Sequence, residues 1–193
     1  MCVYMKKILF VVSHIGSDSS SLCDVLQANP LIQFYNTKII YDRMEVGLSL
    51  VSRPHKCDTT AAIWAEELLS NHRLCHNCFY KWAQFVYVIK DARHSLHAMQ
   101  PPDAKTADIN FRYYGYRLRR ICEMARKTPG AVLLTNLTNL KPLEEYLNLQ
   151  ESLGEVAPNS IEPCKFVTPE HIRKAQESFE RHYFYLRNLD LLR

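Results

Sequence analysis

The feature that most constrains this chain is Ile8-Leu9-Phe10-Val11-Val12, which opens directly into Ser13-His14-Ile15-Gly16-Ser17-Asp18-Ser19-Ser20-Ser21-Leu22. The apolar run, led in by Lys6 and Lys7, has no alternation, and that is the pattern of a strand buried on both faces of a parallel sheet. From Ser20 to Ala28, Leu22, Val25, Leu26 and Ala28 follow helical spacing. Strand, polar loop and helix start in succession gather backbone N–H groups and a positive dipole end at one point, which suits an anion. The loop has neither the G-x-x-x-x-G-K-[ST] spacing nor a lysine, so it is not an ordinary nucleotide-triphosphate loop. Taken alone, it is equally compatible with a serine-rich β–α connection that holds no ligand.

A chain of 193 residues suits one well-cored domain spanning 1–193. With 47% hydrophobic and 23% charged residues, it is expected to fold throughout. A formal charge of +4 accommodates a small anionic ligand and gives no footprint for nucleic acid. The 7 cysteines, odd in number and irregularly spaced, read as reduced thiols rather than a disulfide framework. Lys6 and Lys7 before an apolar run superficially resemble a secretory leader, but the run ends at Val12 with no small-residue cleavage site after it. No stretch has the length of a membrane span. The expected location is therefore cytoplasmic, with no membrane partner.

Further along, Leu31–Tyr35 reads as a strand after the Asn29-Pro30 break, and Thr37 to Arg53 as helix or loop. Asp58 or Thr59 is expected to cap a helix with Ala62, Ile63, Leu68 and Leu69 inward and Glu66 and Glu67 outward. Phe85–Ile89 is a second buried strand, ending in the polar cluster Lys90-Asp91-Ala92-Arg93-His94-Ser95. A long helix is predicted from about Ala107 to Lys127, with Tyr114, Leu118, Ile121 and Ala125 on one face. Thr128-Pro129-Gly130 stops it before a short strand at Ala131–Thr135, and Pro142 opens a brief helix through Leu147. Thr168-Pro169-Glu170 starts a terminal helix burying Ile172, Ala175, Phe179, Tyr183 and Leu186. The alternation predicts a three-layer α/β domain with a central, mainly parallel sheet flanked by helices.

If the two buried strands are neighbours, Ser17–Ser21 and Lys90–Ser95 share one edge of the sheet, where open α/β sheets bind ligands. One loop offers backbone N–H groups and the other Lys90 and Arg93, an arrangement for two separated phosphate or sulfate groups. On these two motifs the chain resembles the P-loop sulfotransferases. Ser17-Asp18-Ser19-Ser20-Ser21-Leu22 stands at their 5′-phosphosulfate loop, and Val88-Ile89-Lys90-Asp91-Ala92-Arg93 at their 3′-phosphate motif. The likeness runs loosely from residue 8 to about 150. Ser19 stands where the family has glycine, Ser17 where it has a basic residue, Lys90 where it has arginine, and Ala98 where a serine is expected.

The resemblance implies transfer of a sulfuryl group from 3′-phosphoadenosine 5′-phosphosulfate (PAPS) to a hydroxyl or amine of a small-molecule or glycan acceptor. It implies cofactor binding by Ser17, Ser19, Ser20, Ser21 and Leu22 of the loop, with Lys90 and Arg93 on the 3′-phosphate. His14, Glu45 and His55 are the candidates for the base that such a transfer needs. The alternatives are a non-catalytic binding protein on the same fold and a nucleotide phosphotransferase, against which the missing loop lysine counts. His55, Cys57, His72, Cys75, His76 and Cys78 contain enough soft ligands for one zinc, but no second C-x-x-C completes the usual pairing, and no metal is expected. The arginine-rich stretch Phe111–Arg120 has the spacing of a core helix with a solvated face rather than of an RNA contact.

Overall fold

Nothing polar interrupts Leu9 to Val12, and all four residues are buried at the centre of a sheet. A computed structural model describes residues 7–34, 63–68, 77–156 and 159–192. In chain order these form β1 (Lys7–Val12), α1 (Ser19–Ala28), β2 (Ile32–Phe34), β3 (Ile63–Leu68), α2 (Asn77–Trp82) and β4 (Ala83–Val88). Then come α3 (Ala92–Ala98), α4 (Ala104–Ala125), β5 (Val132–Leu134), α5 (Lys141–Leu147) and α6 (Pro169–Arg187). The strands are parallel throughout, in the order β2-β3-β1-β4-β5.

Alternate residues of each strand feed two separate cores. Phe10, Val12, Phe85, Tyr87 and Leu133 face one side, where Leu96 of α3, Leu118 and Ile121 of α4, and Ala175 and Leu186 of α6 cover them. Leu9, Val11, Val86 and Val132 face the other side, against Leu22 and Leu26 of α1 and Leu143 and Leu147 of α5. Helices thus cover both faces of a parallel sheet, as the sequence pattern predicts for this α/β class. Each fully buried aliphatic side chain in such a layer contributes roughly 1.5–3 kcal/mol.

One element differs in kind from the sequence expectation. Residues 63–68 are not helical but form β3, paired with both β1 and β2. Ile63, Ala65, Glu66 and Leu68 are all buried. A strand flanked on both sides and covered on both faces loses its period of two, so its apolar positions can equally fit a helical stripe. Tertiary pairing decides the outcome here.

The remaining helices keep their sequence signals. Asp103 caps α4 by accepting from the Thr106 N–H at 2.7 Å, which starts the helix three residues before its expected onset at Ala107. Thr168 caps α6 in a reciprocal capping box with His171, and Pro169 follows at the first helical position. Beyond α6, Leu192 pairs with β5 through Leu133 N–H to Leu192 O (2.7 Å) and Leu192 N–H to Ala131 O (2.8 Å), covering that edge. Among the described residues, no helix is long and apolar enough to cross a membrane.

Candidate functional site

The strand order fixes where a ligand can sit. The chain leaves β1 towards β3 and β2, and leaves β4 towards β5, so the connections diverge from the adjacent β1/β4 pair. The crevice outside the carboxyl ends of two such strands is the usual binding place in an open parallel sheet. Here those ends carry the loop 13–18 and the junction Lys90–Asp91.

A buried framework ties the two ends together. Lys90 donates its backbone N–H to Nε2 of His14 (3.0 Å), and the Tyr114 hydroxyl donates to the Lys90 carbonyl (2.8 Å). Because Nε2 accepts, the His14 proton lies on Nδ1, which donates to the Ile15 carbonyl at 3.0 Å. Burial brings the imidazole down to about 4, only partly countered by the Ile15 carbonyl, so it is neutral at ordinary pH. Arg117, 1% exposed, reaches the Ser13 carbonyl through Nε (2.8 Å) and the Leu68 carbonyl through a second nitrogen, joining the ends of β1 and β3. Burial lowers its guanidinium to about 10, which leaves it charged.

The loop itself is shaped by two residues with positive φ. Gly16 (φ 77°) lies so close to α3 that a Cβ there would stand 2.5 Å from the Ser95 carbonyl oxygen. Asp18 (φ 62°, ψ 17°) is also left-handed and immediately precedes α1. The position at which glycine would relieve the backbone before the helix is therefore Asp18; Ser19, expected to stand there, is the first helical residue.

The Asp18 carboxylate is the focus of the polar contacts. It lies 2.8 Å from His94 Nε2 and 3.5 Å from Lys90 Nζ, and accepts from Asn159 Nδ2 at 3.1 Å. Asn159 also donates to Ser21 Oγ at 3.3 Å. Burial alone would raise the Asp18 carboxyl, but the adjoining His94 ring nitrogen, the Asn159 hydrogen bond and the Lys90 charge hold it below its ordinary value. Beside it opens a cleft of about 570 Å³ whose walls include Asp18, Ser19, Ser20, Glu67, Asn159 and Glu162. Glu67, at the end of β3, accepts from Ser13 Oγ at 3.3 Å.

The sequence-derived candidates are distributed unevenly around this cleft. Ser19 and Ser20 line it, Ser21 meets Asn159, and Leu22 is buried in the core beneath α1. Ser17 is fully buried, and its hydroxyl has no partner among the described residues. Lys90 joins the loop through Asp18 rather than lining the cleft, while Arg93 is exposed on α3 and ion-paired with no described residue. Ala98, where a serine was expected, packs against Gly16 instead, its Cβ 3.1 Å from where a Cβ on that glycine would lie. His14 is a strut with both ring nitrogens engaged, which leaves neither for an acceptor. Glu45 and His55 lie outside the described residues, as do His72, Cys75, His76, Cys57 and the side chain of Cys78; among the described residues no cluster could hold a metal ion.

Sequence reasoning gives no site role to Glu67, Arg117 and Asn159, nor to His94, which it notes only as a member of the cluster Lys90–Ser95. Glu67 was hidden by the helical reading of its segment. The other three are 76, 104 and 141 positions from their loop partners, Arg117 from Ser13, His94 and Asn159 from Asp18, counted along a chain that offers no local signal. No protein-family model matches the chain, and a search of curated proteins finds no match.

Proposed function

We propose that this chain is a sulfotransferase-type domain that binds an adenosine 3′,5′-bisphosphate moiety at the β1/β4 crevice. The observation that carries the reading is the meeting of the α1 start, the Lys90 ammonium and His94 at one point, already occupied by an oxyanion, the Asp18 carboxylate. A donor set that holds a carboxylate oxygen at 2.8 Å also suits a phosphate or sulfate oxygen. The fit requires only that Asp18 give way.

On this reading Ser19, Ser20 and the first-turn N–H groups of α1 hold the phosphosulfate end, Lys90 supplies positive charge and His94 a ring N–H. PAPS, when bound, supplies the sulfuryl group. Glu67 takes the proton from the acceptor hydroxyl or amine, since it is the carboxylate at the end of β3 on the wall of the same cleft. Ser13 Oγ, donating to one Glu67 oxygen, orients that carboxylate and leaves the other oxygen for the acceptor. The first-turn N–H groups and the Ser20 hydroxyl stabilise the charge that develops on the departing phosphate.

A second reading is favoured by one specific feature. Asp18, Glu67 and Glu162 give the cleft three carboxylates, and Lys90 is already paired, as in a binding protein that kept the fold and lost the cofactor. Calorimetric titration with adenosine 3′,5′-bisphosphate, with ATP as control, separates them. Binding of the bisphosphate alone supports the sulfotransferase reading. Absence of binding to both moves the assignment to the non-catalytic protein, and preference for ATP to a phosphotransferase.

A further inference from the structure

The Asp18 side chain is 10% exposed, yet a carboxylate at the end of a hydroxyl-rich loop would normally turn outward to water. It is held inward by groups from three separate segments: Lys90 at the end of β4, His94 within α3, and Asn159 from the segment before α6. It does so from a left-handed backbone that a residue with a Cβ adopts at some cost. The main chain of Lys90 is pinned by His14 and Tyr114, so the root of its ammonium is fixed. Next to Asp18, the buried Ser17 hydroxyl has no described partner.

We infer that Asp18 is an internal counter-ion that closes the oxyanion site, competing with the ligand for Lys90 and His94. This rests on the proposed bisphosphate site and adds its regulation. A carboxylate and a phosphate monoester offer the same acceptor chemistry, and the Lys90 ammonium and the His94 ring nitrogen cannot satisfy both at the same position. While Asp18 is in place, its charge offsets that of Lys90 and the site presents little net attraction to an anion. When it swings out, Lys90, His94 and Asn159 are released together and the site becomes cationic. Asn159 is the clip, because its single amide nitrogen bridges Asp18 Oδ1 and Ser21 Oγ.

Asp18→Asn tests this, because asparagine keeps the shape and tolerates the left-handed backbone while removing the charge. Asp18→Gly is the second variant and removes the side chain altogether. Asp24→Asn, at an exposed site on α1, makes the same change in net charge away from the contact. Each protein, with its fold checked by circular dichroism, is titrated calorimetrically with adenosine 3′,5′-bisphosphate and with inorganic sulfate. The expected result is binding of the bisphosphate about tenfold or more tighter in both Asp18 variants than in the wild type, with Asp24→Asn unchanged. A parallel gain for sulfate would assign the effect to the oxyanion, and a gain for the bisphosphate alone to the whole nucleotide. Equal affinity in wild type and Asp18 variants overturns the counter-ion and leaves the bisphosphate site standing. Equal gains in the Asp18 and Asp24 variants reduce the effect to general charge and also overturn it. No binding by any variant overturns both.

Discussion

His14 shows how a residue that looks chemically active can serve as a strut. Its two nitrogens bond the Lys90 N–H and the Ile15 carbonyl, and they can do so only in the neutral form. Its folded-state pKa lies near 4 against an ordinary 6.5, so the unfolded chain takes the proton first as pH falls. The stabilisation is fully present above about pH 6.5 and is lost as pH falls to about 4, with a full size of roughly 3 kcal/mol. His97, lowered by burial and by Arg93, acts in the same direction. Urea-unfolding midpoints measured between pH 7.5 and pH 4.5 are expected to fall steeply for the wild type and less steeply for His14→Gln, which starts less stable. Equal slopes would contradict the assignment. Arg117 is the complementary case: Arg117→Met leaves the Ser13 and Leu68 carbonyls without their buried donor and is expected to cost about 2–4 kcal/mol in the same assay. Arg117→Lys should not recover it, because one ammonium cannot reproduce the fork. Local pattern placed both residues, in a loop and a helix; their partners lie 76 and 104 positions away, beyond any local pattern.

At the scale of elements, the β1–α1 loop is set by its approach to α3. A methyl group at residue 16 would meet both an unfavourable φ and the Ser95 carbonyl, so Gly16→Ala is expected to displace the loop. The variant should lose about 2 kcal/mol or more of stability and most of its affinity for adenosine 3′,5′-bisphosphate. Unchanged binding would separate the site from this loop. Thr168→Ala, by contrast, should cost about 1 kcal/mol in thermal unfolding and leave binding intact, because it removes only the α6 cap. That cap, the α4 stripe and the strands at β1 and β4 were legible because each is written in adjacent residues. β3 was not: Ile63, Ala65 and Leu68 satisfy two periodicities, and its identity as a strand comes from β1 and β2 on either side.

The whole molecule brings the two sequence motifs to one edge because β1 and β4 are neighbours whose connections diverge. Adjacency was a condition in the sequence reading and is a fact of the sheet order. The finer disposition was hidden, since Asp18, a residue of the β1–α1 loop, takes the lysine that the sequence reading gives to the ligand. The central claim is that the Lys90 corner of this crevice is the oxyanion site. The most direct measurement compares adenosine 3′,5′-bisphosphate binding, by calorimetry, in wild type, Lys90→Ala and Arg112→Ala, the last removing an exposed charge of α4. Lys90→Ala should weaken binding about tenfold or more, and Arg112→Ala by no more than about twofold. Equal losses in the two variants would mean that only the general positive charge of the protein attracts the ligand.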